Sequence, residues 1–469
     1  MTIGMLFRRW DKALVILLAG ALLARLGVVW ATSSLDVRVV DEQQYVALAR
    51  NLVDGNGFSR DGQRLTSSRP PLYPAAVAAI WRLTGSESLV AVRVAQALIG
   101  VFTVGVIFRI GNRLCNRRVA ILAAAFVAFY PSLVFYSVLI LSETLFTFLL
   151  ALMVLGCMSL IGRPSVWVAL GTGLSLGAAA LTRSIMWPFV FVLLAGIAAG
   201  LVVERQWRWR TALLVFAGYA LLVAPWSYRN TALQGTFTVV DTMGGRNLMM
   251  GNYAHTPEDR MWDAISLTGD RAWDSTLPWR APHGGWWSEG DVDRWAQQQA
   301  IAYMRAHPWI TARRTLLKFA DFWGLEREFL AGVWRGLYQV PTGPAIVAGA
   351  AMVGAYAAVV VLAVTGLVLA PPFADRRAHV LLVALLLFVS GIHAIVFGHP
   401  RYHIPLVPVL ALYAGAAIDA RPWRRRWSGW EGWIAPSLVA CLMLFWVRDI
   451  FLRDLGRLSE LAARFGFKV

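Results

Sequence analysis

Acidic side chains are scarce in this chain: 27 Asp and Glu stand against 44 Lys and Arg in 469 residues, a formal net charge of +17. Charged residues of both signs make up only 15% of the total, against about 25% in a typical soluble domain. A large solvated surface is therefore excluded. The basic excess does not indicate nucleic-acid binding. The arginines are scattered through short loops between apolar blocks, and not clustered on one face as a nucleic-acid footprint requires. Cysteine is nearly missing. Cys115, Cys157 and Cys441 lie in or beside apolar blocks, match no metal spacing, and read as small buried hydrophobes. Of the histidines, His399 and His403 are four apart, but Pro400 and Pro405 disturb helical geometry and no carboxylate is spaced with them. No metal is expected, and nothing in the residues supports a divalent-metal cofactor. Also missing are a Gly-x-Gly-x-x-Gly turn after a strand and any strand–helix alternation, which excludes a nucleotide-binding fold. No internal repeat is evident, so an inverted-repeat transporter has no support.

What is abundant is apolar sequence, 58% of the chain. It comes in long blocks, and a membrane-spanning helix needs roughly 20 such residues. About eleven blocks recur between residues 13 and 447 by window reading. The expected fold is an all-α polytopic membrane protein. The first block follows MTIGMLFRRWDK, is too long for a signal peptide and contains Arg25, so it reads as an uncleaved helix. Later helices are expected near 87–108, 119–135, 138–161, 166–182, a sixth returning to ERQWRWR, then 211–226, 344–370, 378–397, 402–418 and a short block at 433–447.

Arg8, Arg9 and Lys12 precede the first helix, and basic residues fill the loops at 109–118, 205–210, 375–377 and 421–426. By the positive-inside bias these are cytoplasmic, and the segments 32–85 and 230–342 are external. The expected localisation is the inner membrane of a bacterial-type cell, with a cytoplasmic N-terminus and a periplasmic site. Three regions follow: residues 1–230, an N-terminal transmembrane module carrying the first external loop (32–85); 231–342, an external region with helical periodicity from Asp291 to Trp323; and 343–469, C-terminal helices with a basic, amphipathic tail from Arg448.

This topology brings the unusual polar residues to one depth. Asp41, Glu42, Arg69, Glu143, Arg183, Arg229, His399 and Arg401 all fall at external helix ends or in external loops. Charges at membrane depth are costly and commonly functional. Within DEQQYVALARNLVDGNG, Asp41, Tyr45, Leu48, Ala49 and Leu52 recur at helical spacing, giving a short interfacial helix ended by Gly55 and Gly57. Its N-terminal carboxylates admit either a solvated pair or a catalytic one. Glu143, flanked by apolar residues in YSVLILSETLF, needs an arginine partner such as Arg25 or Arg183, or a role in orienting a substrate. Arg25 itself either snorkels to the outer surface or meets a phosphate.

Several segments match a known class: VDEQQYVALARNLVDGNGF, SRPPLYP, YPSLVFYSVLILSETLF, LTRS, APWSYRNTALQGTFTVV, GGRNLMMGN, AIAYMRAHPWITARRTLLKFADFW and FGHPRYHIPLVPVLALYAG. In order and placement they resemble the GT-C class of membrane glycosyltransferases. The closest branch is family 39 and its relatives, which include protein O-mannosyltransferases and the lipid A aminoarabinose transferase. The resemblance implies a GT-C fold of about eleven transmembrane helices with amphipathic interfacial helices. It implies a polyprenyl-phosphate-sugar-dependent glycosyltransferase of the cell envelope. Such an enzyme moves a monosaccharide to a lipid, glycan or protein hydroxyl on the outer face, with inversion. The family's essential acidic residue matches Asp41, beside Glu42, and its basic residue before the Pro-Pro pair matches Arg69. The acidic residue that often precedes that base is here Ser68, a departure that weakens any borrowed metal site.

The chemistry is compatible. Transfer needs a base for the acceptor hydroxyl, and a carboxylate serves, with Asp41 first and Glu42 second. A lipid phosphate leaves readily if cations stabilise it, so arginines replace a general acid. Arg401, Arg183, Arg229, Arg69 and Arg25 are the expected phosphate ligands, joined by the Tyr402 hydroxyl. Glu143, Tyr45 and His399 support them. Arg401 ranks first because it opens a helix, whose N-terminus favours an anion. The expected partners are the lipid-linked donor, its acceptor and membrane lipids. A ligase or polymerase of lipid-linked oligosaccharides shares this topology, and a transporter is the remaining alternative.

Overall fold

The structure, a computed structural model, describes residues 11–162, 164–204, 206, 208–257, 261–279, 285–370, 375–424, 431–451 and 456. Arg8 and Arg9, Arg163, Arg205, Arg425, Arg426 and nearly all of the basic tail after Phe451 lie outside the described residues. The chain forms helices α1 (Lys12–Ala31), α2 (Val40–Val53), α3 (Leu72–Thr84), α4 (Leu89–Leu114), α5 (Arg117–Phe129), α6 (Pro131–Tyr136), α7 (Glu143–Gly162), α8 (Val166–Thr182) and α9 (Phe189–Ala198). There follow α10 (Arg208–Gln234), α11 (Gly244–Met250), α12 (Glu289–Ala306), α13 (Pro308–Phe322), α14 (Glu328–Trp334), α15 (Thr342–Leu369), α16 (Arg376–Ile395), α17 (Val407–Ala420) and α18 (Glu431–Asp449).

Among the described residues, eight helical segments are long and apolar enough to cross a membrane: α1, α4, α7, α10, α15, α16, Pro400–Ala420 and the greater part of α18. This is an integral membrane protein. Val166–Thr182 and Ser184–Ala198 are apolar but shorter. The segment expected as one helix over 119–135 is broken instead. Tyr130 precedes Pro131 and takes an extended conformation (φ −65°, ψ 115°), as residues before proline are pushed to do. The next expected helix also starts late, at Glu143, because residues 137–142 are not helical.

Non-helical backbone at membrane depth survives only where its polar groups find partners. Here buried side chains supply them. Arg25 donates to the carbonyls of Ala21 at 3.2 Å, Ala128 at 2.8 Å and Val127 at 3.1 Å. Gln96 Nε2 donates to Ser137 O at 3.0 Å and Leu139 O at 2.8 Å. Arg93 Nε donates to Val138 O at 2.9 Å, and the rest of its guanidinium reaches Thr32 O and Leu35 O just past α1.

Packing explains the remaining architecture. In α1 only Ala21, Arg25 and Val29 are buried, a stripe at four-residue spacing, while Ile16, Leu23 and Trp30 point outward. Apolar outward faces suit a lipid solvent. Between α8 and α10 the backbones nearly touch: a Cβ on Gly173 would lie 2.0 Å from Val215 O, and one on Gly218 2.4 Å from Leu170 O. Small residues allow this approach where lipid provides no hydrophobic drive between helices. A second apolar core, with Met249, Tyr253, Val292, Ala296 and Phe397, holds α11 and α12 together outside the bundle.

The bundle has two chemically different ends. At one, Arg117 pairs with Asp11 at 2.7 Å, Arg118 with Asp419 at 3.3 Å, and Asn116 with Asp419 at 2.9 Å. The N-terminus of α1, the α4–α5 turn and the C-terminus of α17 therefore meet there. Asp41, Glu143, Arg183 and Arg401 sit at the opposite helix ends.

Candidate active site

Helix α2 forms as its apolar spacing requires, and Gly55 and Gly57 follow it with positive φ of 83° and 76°, a conformation glycine enters freely. Tyr45, Leu48 and Ala49 are buried, which turns Asp41 inward. Arg69 arrives from the segment before α3. Arg183 follows the last residue of α8. Glu143 begins α7, and Arg401 lies in a 3₁₀ helix, Pro400–Leu406, ahead of α17.

These side chains form one connected ion-pair network. Asp41 Oδ1 accepts from Arg69 Nη2 at 2.6 Å, and Asp41 Oδ2 from Arg401 Nη1 at 3.1 Å. Glu143 Oε1 accepts from Arg401 Nε and, at 3.4 Å, from Arg183 Nη2. Arg69 Nε also donates to Gln44 at 2.9 Å. Arg183 lies over the Tyr402 ring, 5.4 Å from its centroid, and Arg69 over Tyr45 at 5.8 Å. Burial pushes the Asp41 carboxyl up. The guanidinium groups of Arg69, Arg401 and Arg183 outweigh it, so Asp41 lies below the usual carboxylate range.

The network forms part of the wall of a cavity of about 560 Å³, lined by Asp41, Tyr45, Arg69, Arg183, Arg401 and Tyr402 on one side. The wall also includes Thr236–Asp241 and Met243–Gly245, with Asp293, Arg294 and Gln297 of α12 and His393 of α16. Two carboxyls here went unnoticed in the sequence. Asp241 stands one residue past the TFTVV segment, and Asp293 lies in the polar α12. Burial pushes Asp241 up to about 6, against the opposing pull of Ser184 and Arg69, and burial raises Asp293 as well.

Four expected site residues stand elsewhere. Glu42 does not line the cavity. Its Oε2 accepts from the Arg38 and Val39 amides at 3.2 and 3.1 Å, and its Oε1 from the Ile140 amide at 2.8 Å. It caps α2 and ties it to the irregular 137–142 segment. Arg25 is spent on helix carbonyls, as described, and neither snorkels nor faces the cavity. Arg229 donates to Thr66 O at 2.7 Å and stacks on Trp226 at 4.7 Å, bracing the chain that leads to Arg69. His399 accepts from the Arg401 amide and lies 3.2 Å from Glu328, which supports Arg401 from behind. Arg401 stands in the 3₁₀ turn that opens the Pro400–Ala420 segment, and its guanidinium is oriented by Asp41 and Glu143. Among the described residues, no three His, Cys, Asp or Glu side chains gather as a metal site.

Residues 68–228 match the family described as dolichyl-phosphate-mannose-protein mannosyltransferase. No curated protein matches the sequence. Among solved structures, the chain is similar to the oligosaccharyltransferase of Archaeoglobus fulgidus in its apo form. Identity is 12% and TM-score 0.52, covering 94% of this chain and 56% of that one. The same archaeal protein in complex with Zn and sulfate matches at 13% identity and TM-score 0.50, covering 93% and 52%. ArnT from Cupriavidus metallidurans in the apo state aligns at 15% identity and TM-score 0.40, covering 87% and 79%. The chain thus spans little more than half the length of the archaeal protein. The shared architecture is the GT-C fold of membrane glycosyltransferases.

Proposed function

We propose that this GT-C-fold chain transfers a single sugar from a polyprenyl-phosphate carrier to an acceptor hydroxyl at the outer face of the membrane. The observation that carries the reading is the convergence of Arg69, Arg183 and Arg401 on one cavity beside Asp41. Three guanidinium groups face only two network carboxylates, Asp41 and Glu143. Arginine forks bind phosphate in two-point contacts, and here they would stabilise the charge that grows on the departing phosphate. The match of residues 68–228 to a family described by a dolichyl-phosphate sugar agrees with that donor class.

Direct attack by the acceptor on the anomeric carbon inverts it. Asp41, held ionised by its arginines, faces the reacting centre as a fixed negative charge. The cavity volume is that of a site for one small ligand, which favours a single sugar over an oligosaccharide. The sidedness rests on the basic helix ends, which gather at the far end of the bundle. The positive-inside bias makes that end cytoplasmic and the site periplasmic, as in a bacterial inner membrane.

Purified protein in nanodiscs is offered polyprenyl-phosphate mannose or a nucleotide sugar, with membrane lipids and glycans as acceptors. Transfer from the lipid phosphate alone is expected. Transfer from a nucleotide sugar in the absence of any polyprenyl phosphate would sink the assignment.

A further inference from the structure

The cavity contains carboxyls in two contrasting environments. Asp41 has both oxygens engaged by guanidinium groups, at 2.6 and 3.1 Å. A carboxylate so held is a good fixed charge and a poor proton acceptor. Asp241 is positioned quite differently. The segment that carries it is clamped to the bundle: Val240 O accepts from Trp226 Nε1 at 2.9 Å and Asn230 Nδ2 at 2.8 Å, and Thr242 N donates to Ser67 O at 3.0 Å. That last bond fixes Asp241 beside the chain leading to Arg69, and the Arg69 guanidinium interacts electrostatically with both Asp41 and Asp241. Asp241 Oδ1 accepts from the Met243 amide at 3.1 Å, and Ser184 donates to the same carboxyl. Asp241 remains partly exposed, to the cavity it lines.

We propose that Asp241 is a catalytic residue, the carboxylate that receives the acceptor's proton, while Asp41 stays ionised as the electrostatic partner of the reacting sugar. This rests on the transferase reading above. An acceptor oxygen forms its bond to the anomeric carbon with a lone pair. The carbon–oxygen bond to phosphate breaks, and its electron pair stays on the phosphate beside the arginines. The acceptor proton passes to Asp241 and then to water in the cavity. Two carboxyls whose surroundings push their acidities apart divide such work, one as proton carrier and one as fixed charge. Burial raises Asp241 to about 6, close to the pH at which a base works best. The charged groups that act on it are Arg69, Arg246 and Asp293, and His393 lines the same cavity.

Hydrolysis of polyprenyl-phosphate mannose by the purified protein in nanodiscs, with water as acceptor, reads the step without knowledge of the natural acceptor. Asp241→Asn keeps the oxygen that accepts from Met243, so the fold is retained. Mannose release should fall by about 10²–10⁴-fold, with binding of polyprenyl phosphate unchanged. In the unmutated protein the rate should rise with pH through a midpoint near 6, because Asp241 must be ionised to act. Ser184→Ala removes a donor that favours the ionised form and should move that midpoint upward. His393→Gln should leave it in place. An Asp241→Asn protein that hydrolyses at the unmutated rate, or a midpoint that ignores Ser184→Ala, overturns the proposal. If the unmutated protein releases no mannose while it works from another donor class, the donor reading fails first and the base assignment falls with it.

Discussion

Asp41 Oδ2 lies 3.1 Å from Nη1 of Arg401, 360 positions further along the chain. The contact joins the segment between α1 and α4 to the last third of the chain. Glu143 shares the same guanidinium from α7. A buried guanidinium between two carboxylates is positioned before any substrate arrives, and pre-set dipoles and charges are the main source of catalysis in acyl- and phosphoryl-transfer sites.

Asp41→Asn removes the fixed charge while keeping size. Turnover should fall by about 10²–10³-fold, the scale of losing one electrostatic contact at a reacting centre. The cation cluster gains net positive charge, so binding of polyprenyl phosphate should hold or tighten. Paired rate and binding measurements check this. Weaker binding with unchanged turnover would contradict it.

Arg401→Lys keeps the charge and loses the fork, so one amine cannot serve Asp41, Glu143 and a phosphate together. Donor KM should rise at least tenfold with the protein still folded. Arg401→Ala leaves Glu143 buried without its main partner, a change that costs about 3–5 kcal/mol at such sites. A large drop in Tm is expected for Arg401→Ala and not for Arg401→Lys.

Glu42→Ala tests whether the carboxyl beside Asp41 is architectural. It would leave the amides of Arg38, Val39 and Ile140 without their acceptor. A stranded buried polar group costs about 1–3 kcal/mol. The yield of folded protein and its Tm should drop, while rate per folded molecule changes little. A stable but inactive Glu42→Ala protein would return Glu42 to the chemistry.

Sidedness is open to thiol labelling in a background without Cys115, Cys157 and Cys441. Cysteine at exposed position 54, just past α2, should react with an impermeant reagent on intact cells. Cysteine at exposed position 112, near the end of α4, should react only after lysis. The reverse pattern would invert the topology and move the site to the cytoplasmic face.

The all-helical membrane architecture was legible in the sequence because its cause is local. Long apolar runs have no other stable solution in lipid. The resemblance to the GT-C class, seen in short ordered segments, agrees with the fold and with the family match over residues 68–228. Helix α2 and its glycine ending were equally readable, since spacing and turn chemistry act within a few residues. Where the individual helices break was not legible. Tyr130-Pro131 interrupts one, and the 137–142 segment survives unwound only because Gln96, Arg93 and Glu42 happen to reach its backbone.

Which charged residue does what was decided by tertiary structure alone. Arg25, Arg93, Arg229 and Arg401 are all arginines in or beside apolar helices, and nothing in their neighbours along the chain separates them. Three spend their donors on backbone carbonyls, and one meets two carboxylates from distant segments. Asp41 and Glu42 are adjacent in sequence and part ways for the same reason: successive helix positions point about 100° apart. One therefore faces the cavity and the other the protein interior. A sequence announces that a charge must be paired at membrane depth. Only the packing of remote helices determines its partner.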